Sequence, residues 1–167
     1  MTIAEMINSL NKNWSTPTHA LHRGEEIFVK LACRFSLAGI KPASDYPFNV
    51  PDDIKEFWSV TESAELFKDV EYGQWGLEIL SPAKSLAETA LQKKVRPATY
   101  RSKDLIIGRF IGDLERLVLS CDESREYGIV RVALPIDPYP DWYVAANSFG
   151  AFLEQYAAMQ GDKFWEK

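Results

Sequence analysis

The sequence predicts an α+β fold, a mainly antiparallel sheet of about five to six strands with helices packed on it. Three observations predict it. Apolar residues recur at helical spacing through most of the first sixty residues. Short apolar runs separated by turn signals then follow one another, and connections that short join antiparallel neighbours. A final amphipathic segment closes the pattern, which together argues helices laid on an antiparallel sheet.

Residues 2–13 read as a helix with Ile3, Met6, Ile7 and Leu10 on one face, broken by Ser15-Thr16-Pro17-Thr18. A second helix is expected from about Gly24 to Ala38, because Ile27, Leu31, Phe35 and Ala38 recur every three or four residues, with Gly39 to close it. Lys41–Val50, rich in Pro, Asp and Asn, reads as a loop. Pro51 opens a short helix with Asp52 and Asp53 in its first turn, where carboxylates suit the dipole, and with Ile54, Phe57 and Trp58 inward.

The period then changes. Ala64–Phe67 and Trp75–Leu80 read as strands around a turn at Tyr72-Gly73-Gln74. Ser81-Pro82 starts a helix whose inward face is expected to be Ala83, Leu86, Ala87, Ala90 and Leu91, and which Pro97 stops. Strands follow at Leu105–Ile111, Arg116–Cys121 and Gly128–Leu134, then a proline-rich loop at Pro135–Asp141. A closing helix near Ser148–Met159 carries the stripe Phe149, Phe152, Leu153 and Tyr156.

At 167 residues the chain fits one domain, 1–167, with a helical part over about 1–40 and a core over about 50–155. Hydrophobic residues at 46% and charged residues at 26% exclude disorder for the bulk of it. No secretory signal opens the sequence and no stretch reaches the length of a membrane span, so no membrane partner and a cytoplasmic location are expected. Two cysteines, Cys33 and Cys121, suit a reducing compartment and read as buried small hydrophobes. Net charge is −5 but uneven: residues 41–80 hold 9 acids against 3 bases, whereas Lys93, Lys94, Arg96, Arg101 and Lys103 cluster without an acid. An acidic chain is a poor nucleic-acid binder, so no nucleic-acid partner is expected, and the basic run reads as a solvated helix end and loop.

Catalytic chemistry is hard to place. None of the common nucleotide, hydrolase or metalloprotease motifs occurs. His19 and His22 sit three apart but lack further ligands at metal spacing. The carboxylate pairs Asp52/Asp53, Asp69/Glu71 and Asp137/Asp141 lie where acids are ordinary, at a helix start, a turn and a loop. The reading is therefore no catalytic, metal or cofactor site, and no cofactor.

Several stretches taken in order resemble the SUKH superfamily, which joins the yeast cell-wall-assembly regulators of Smi/Knr type with many bacterial immunity proteins. They are the Pro51–Trp58 helix, the hairpin of Ala64–Phe67 with Trp75–Ile79, the strand Asp104–Ile111 ending in Gly112-Asp113, the strand Gly128–Val130, and the helix Ala145–Glu154. The resemblance spans about residues 50–155. One departure is Thr61-Glu62-Ser63, where the family usually has an Asn-Gly turn. The resemblance implies a non-enzymatic binding domain: a bacterial immunity protein that neutralises a cognate toxin, with a housekeeping adaptor as the alternative and a small enzyme or ligand-binding domain behind both. Its partner would be another protein, such as a toxin domain.

A partner surface needs aromatics and charges that the core does not use. Asp69, Glu71, Tyr72 and Trp75 form one candidate at a hairpin turn, and Tyr139, Asp141 and Trp142 form another in the loop before the last helix. The plainer reading of Trp75 and Trp142 is that they cap the core.

Overall fold

The computed structural model describes residues 1–37 and 45–166. Along the chain run α1 (Ile3–Trp14), β1 (Thr18–His22), β2 (Glu25–Leu37), α2 (Asp52–Val60), β3 (Thr61–Asp69), β4 (Leu77–Ile79) and α3 (Pro82–Val95). Then come β5 (Asp104–Phe110), β6 (Arg116–Ser120), β7 (Val130–Ala133), a 3₁₀ turn (Tyr139–Asp141), β8 (Tyr143–Ala146) and α4 (Phe149–Ala158). The fold is α+β. Its eight strands form one sheet, every neighbouring pair antiparallel, and the spatial order β1 to β8 is the order along the chain.

The sheet is wider than expected because β1, β2 and β8 add to it. The expected helix over Gly24–Ala38 is instead the strand β2, so the first forty residues are only partly helical. Arg23 and Gly24, at φ 55° and 82°, make the two-residue turn that joins β1 to β2. Val29, Leu31 and Cys33 then alternate into the core with Ile27 and Phe35 beside them. Ala38, Gly39 and the first half of the Lys41–Val50 loop lie outside the described residues. At Thr61-Glu62-Ser63, which departs from the Asn-Gly turn, α2 passes straight into β3.

One face of the sheet is covered by α1, α2 and α4. Thr2 and Glu5 close a capping box on α1. Asp53 of α2 accepts the Gly150 N–H at 2.9 Å, which ties α2 to the start of α4. Ile3, Ile7, Phe57, Phe149, Phe152 and Tyr156 meet the inward residues of the strands in the main core.

The other face is covered only in part, by α3 and by the loop before β8. Here the expected inward face of α3 is overturned. Ser85, Thr89 and Gln92 are buried, while Ala83, Ala87, Ala90 and Leu91 are exposed and Leu86 is half-buried. The reason is a backbone need. β4 ends at Ile79, and the Ile106 peptide groups of β5 find their partners on α3 instead. The Ile106 N–H donates to Thr89 Oγ1 at 2.8 Å, and the Ser85 hydroxyl donates to the Ile106 carbonyl. Buried peptide groups rarely go unpaired, so the helix turns its hydroxyls inward. Elsewhere this face bears ion pairs, Lys68–Glu65 at 2.7 Å and Arg109–Glu78 at 2.9 Å.

The residues after α4 return to the first strand. Gln160 accepts the Leu21 N–H through its side chain at 2.8 Å, and the His22 ring nitrogen donates to its carbonyl at 2.8 Å. Gly161 follows at φ +83°, so close to Phe67 that an added Cβ would lie 2.5 Å from the Phe67 Cβ. Lys163 then pairs with Asp113 at 2.6 Å and Glu115 at 2.7 Å. Burial opposes the charge of Lys163, but these two carboxylates outweigh it and hold its pKa above the ordinary value.

Candidate functional site

The β3–β4 turn owes its shape to Asp69. This carboxylate is buried and accepts the backbone N–H groups of Glu71, Tyr72 and Gln74 at 2.9, 3.1 and 3.4 Å. Asp69 therefore holds the turn and does not face outward. What it holds is Glu71, which is exposed, and Tyr72, which is 65% exposed. Trp75 is half-buried. Its indole N–H donates to the Gly161 carbonyl at 3.1 Å, and its ring lies 5.7 Å from the His22 ring and 5.3 Å from the Lys163 ammonium.

Opposite this turn stands the β1–β2 hairpin. His22, Ile27, Phe28 and Val29 on one side, with Asp69, Tyr72, Gln74 and Trp75 on the other, line a groove of about 540 Å³ whose walls are almost wholly apolar. Phe28 is 83% exposed, an aromatic ring left in water beside a concave apolar wall. Leu21 and Val70 are also exposed nearby in sequence. The acids Glu25, Glu26 and Glu71 are exposed on the same hairpin and turn.

Phe28 went unseen in the sequence because its segment reads as a helix. The signal that would have found it is Arg23-Gly24 between two apolar runs, a hairpin turn that puts Phe28 and Val29 on opposite faces of one strand.

The second expected group sits at the other end of the strand order. Trp142 is buried, tilted against Tyr139 with ring centres 4.5 Å apart and near Tyr100 at 5.2 Å, and its indole N–H donates to the Asp137 carbonyl. Trp142 therefore fills the smaller core with Leu80, Ile106, Val118 and Ala133. Tyr139 lies under the Arg101 guanidinium at 3.9 Å and near that of Arg131 at 5.0 Å. Its hydroxyl donates to Asp104 at 3.4 Å. Burial pushes the Tyr139 phenol up to about 12 and raises the Asp104 carboxyl above its ordinary range. Hydrogen bonds from Arg131 and Arg101 lower the Glu126 pKa. Of Tyr139, Asp141 and Trp142, Asp141 is the exposed one. The structure thus does not join the two expected groups into one surface, and the first borders the groove.

His19 and His22 lie on β1, where each ring donates to a backbone carbonyl, Ile27 and Gln160 respectively. Among the described residues no three His, Cys, Asp or Glu side chains cluster to hold a metal ion. Cys33 and Cys121 are buried, and burial pushes both thiols up to about 12. Among the described residues no helix is long and apolar enough to cross a membrane.

The sequence model of the SMI1 / KNR4 family (SUKH-1) matches residues 43–155. No curated protein and no solved structure matches the chain at the threshold applied. The matched span runs from the approach to α2 into α4, so it supplies the Asp69–Trp75 wall of the groove, while the His22–Val29 wall precedes it. With most of its length, the six strands β3 to β8, the helices α2 and α3 and the larger part of α4 inside that match, the chain belongs to the SMI1 / KNR4 family (SUKH-1).

Proposed function

We propose that this chain is a non-enzymatic binding domain acting as a bacterial immunity protein, which neutralises a cognate toxin by direct contact through the groove between the β1–β2 hairpin and the β3–β4 turn. Family membership supports the coarser part of this reading, a SUKH-type domain that works through protein binding. The observation that carries the finer part is the exposed Phe28 ring at the mouth of an apolar groove of about 540 Å³, with Tyr72 and Trp75 opposite. Interface hot spots are aromatic side chains set in apolar pockets with a polar rim. Glu25, Glu26 and Glu71, exposed on the hairpin and turn that form the groove, outnumber the exposed Arg23 and Lys30 there and favour a basic partner, as a nuclease toxin would be. In this reading Tyr72, Trp75 and Glu71 touch the partner, Asp69 holds their turn, and Tyr139 and Asp141 lie at a separate surface.

The same reading treats residues 1–167 as one SUKH-like unit working in the cytoplasm. α1, β1 and β2 support this, since they complete the sheet and core that the matched span begins. The test is complex formation with toxin domains encoded beside the gene. A stoichiometric complex that abolishes toxin activity, and that Phe28→Ser and Tyr72→Ala weaken, is the expected result. If none of those domains binds, the immunity role falls and the adaptor reading replaces it.

A further inference from the structure

The hydroxyls that α3 turns toward the sheet leave its apolar side facing out. Ala83, Ala87, Ala90, Leu91 and Val95 recur at spacings of three, four and one, so they share one stripe. Leu91 is 51% exposed and Val95 60%. Beside the stripe a groove of about 440 Å³ is lined by Pro47, Phe48, Leu86, Ala90, Lys93 and Lys103, among others. A helix that packs by its polar side and shows water its aliphatic side reverses the usual arrangement.

Charge adds a second, independent observation. From Pro82 to Lys103 the chain carries Lys84, Lys93, Lys94, Arg96, Arg101 and Lys103 against the single acid Glu88. Glu88 is already held by Arg116 at 2.8 Å. Lys84, Lys94 and Lys103 are exposed, and among the described residues none of them enters an ion pair. The Lys93 ammonium lies 5.3 Å from the centre of the Phe48 ring and donates to the Ser102 carbonyl at 2.7 Å, which sets a positive charge over the apolar groove. This is a local positive field on a chain of net charge −5.

We propose that the outward face of α3 and the adjoining Phe48 groove form a docking surface for an acidic protein segment that presents aliphatic side chains along one side. The alanines let a partner backbone come close, Leu91 and Val95 supply apolar contact, and the flanking lysines pair with the segment's carboxylates. A nucleic-acid strand would want stacking aromatics between the bases' positions, and this stripe is aliphatic. A membrane surface would want bulky apolar residues along the stripe, and most of it is alanine. The surface is opposite in sign to the Phe28 groove, so a basic partner suited to that groove is disfavoured here. The inference does not depend on the identity of the partner proposed for that groove.

The test is a fluorescence anisotropy titration of the full chain with a labelled synthetic peptide that places Asp and Leu on two faces of a helix. Saturable binding is expected, weakened about tenfold or more by Leu91→Asp and by Lys94→Glu, and unchanged by Tyr72→Ala in the other groove. All three positions are exposed, and urea unfolding of each variant confirms that it folds. The proposal is overturned if the peptide does not bind, or if Leu91→Asp leaves its affinity unchanged. It is equally overturned if a single-stranded oligonucleotide of matched charge competes as well as the peptide, or if phosphatidylserine vesicles bind the chain through Leu91 while the peptide does not.

Discussion

Replacing Thr89 with valine isolates the bond that sets the orientation of α3. Valine keeps the shape of threonine and nearly its helix propensity, so packing and backbone preference change little. What disappears is the hydroxyl that accepts the Ile106 N–H at 2.8 Å and donates to the Ser85 carbonyl at 2.7 Å. Ile106 is fully buried, so its N–H would be left without a partner and without water. A stranded buried donor costs about 1–3 kcal/mol, whereas the extra buried methyl returns about 0.8 kcal/mol at most. The net expected loss is therefore about 0.2–2.2 kcal/mol. Urea unfolding measures it, and hydrogen exchange at the Ile106 amide reports it locally. Thr89→Ser is the control: it keeps the hydroxyl, so Ile106 should stay protected. If Thr89→Val exchanges Ile106 as slowly as the native chain and unfolds at the same urea concentration, the account of why α3 buries its polar side is wrong.

Other expectations follow from single contacts. Cys33 and Cys121, buried and with thiols pushed up to about 12, should be silent to an aromatic disulfide reagent in mildly alkaline native protein and both react after denaturation; prompt labelling of either in the native state contradicts the structure. Gly161→Ala should cost about 1–3 kcal/mol, since it combines positive φ with a clash against Phe67, and should loosen Trp75, which bonds the Gly161 carbonyl; an unchanged melting temperature and tryptophan spectrum would refute this. Burial raises the folded-state pKa of Asp104, so its ionised form weighs against folding above that pKa and the penalty fades as pH falls through it toward the unfolded value of 3.8. Asp104→Asn keeps an acceptor for the Arg101 N–H and the Tyr139 hydroxyl, and should match or exceed native stability at neutral pH, with the difference closing in acid; a variant clearly weaker at neutral pH would show that the charge stabilises the fold.

The parts of the fold that were legible in the sequence are those where one period dominates. α1, α2, α4 and the run β5 to β7 are of that kind, with Thr2 and Ser148 at the N-caps of α1 and α4, accepting from Glu5 and Ala151. β2 was not legible, because Ile27, Leu31 and Phe35 are four apart and satisfy both a helical face and every second position of a strand. The apolar Phe28 and Ala32 on its other face hide the alternation that would have decided it. α3 misleads for a different reason. Its alanines and leucines do form a stripe, but the unpaired Ile106 peptide groups draw the hydroxyl side inward, and that requirement comes from where β4 stops. At the site, Tyr72 and Glu71 are exposed, whereas Asp69 and Trp142 look the same in sequence and are buried. The facing wall, with Phe28, depends on reading Arg23-Gly24 as a hairpin turn against the helical spacing of the residues that follow it.

Strand order that follows chain order has a consequence for how the molecule assembles. Each new strand pairs with the strand made just before it, so the sheet can zip in the direction of synthesis, with α2 and α3 spanning two of the connections. The C-terminal residues break that locality. The seal on the outer edge of β1 comes from Gln160, 139 residues beyond Leu21. Until Gln160 emerges, β1 and the Phe28 ring next to it are an open edge beside an apolar surface, the kind of template to which a second nascent chain can add.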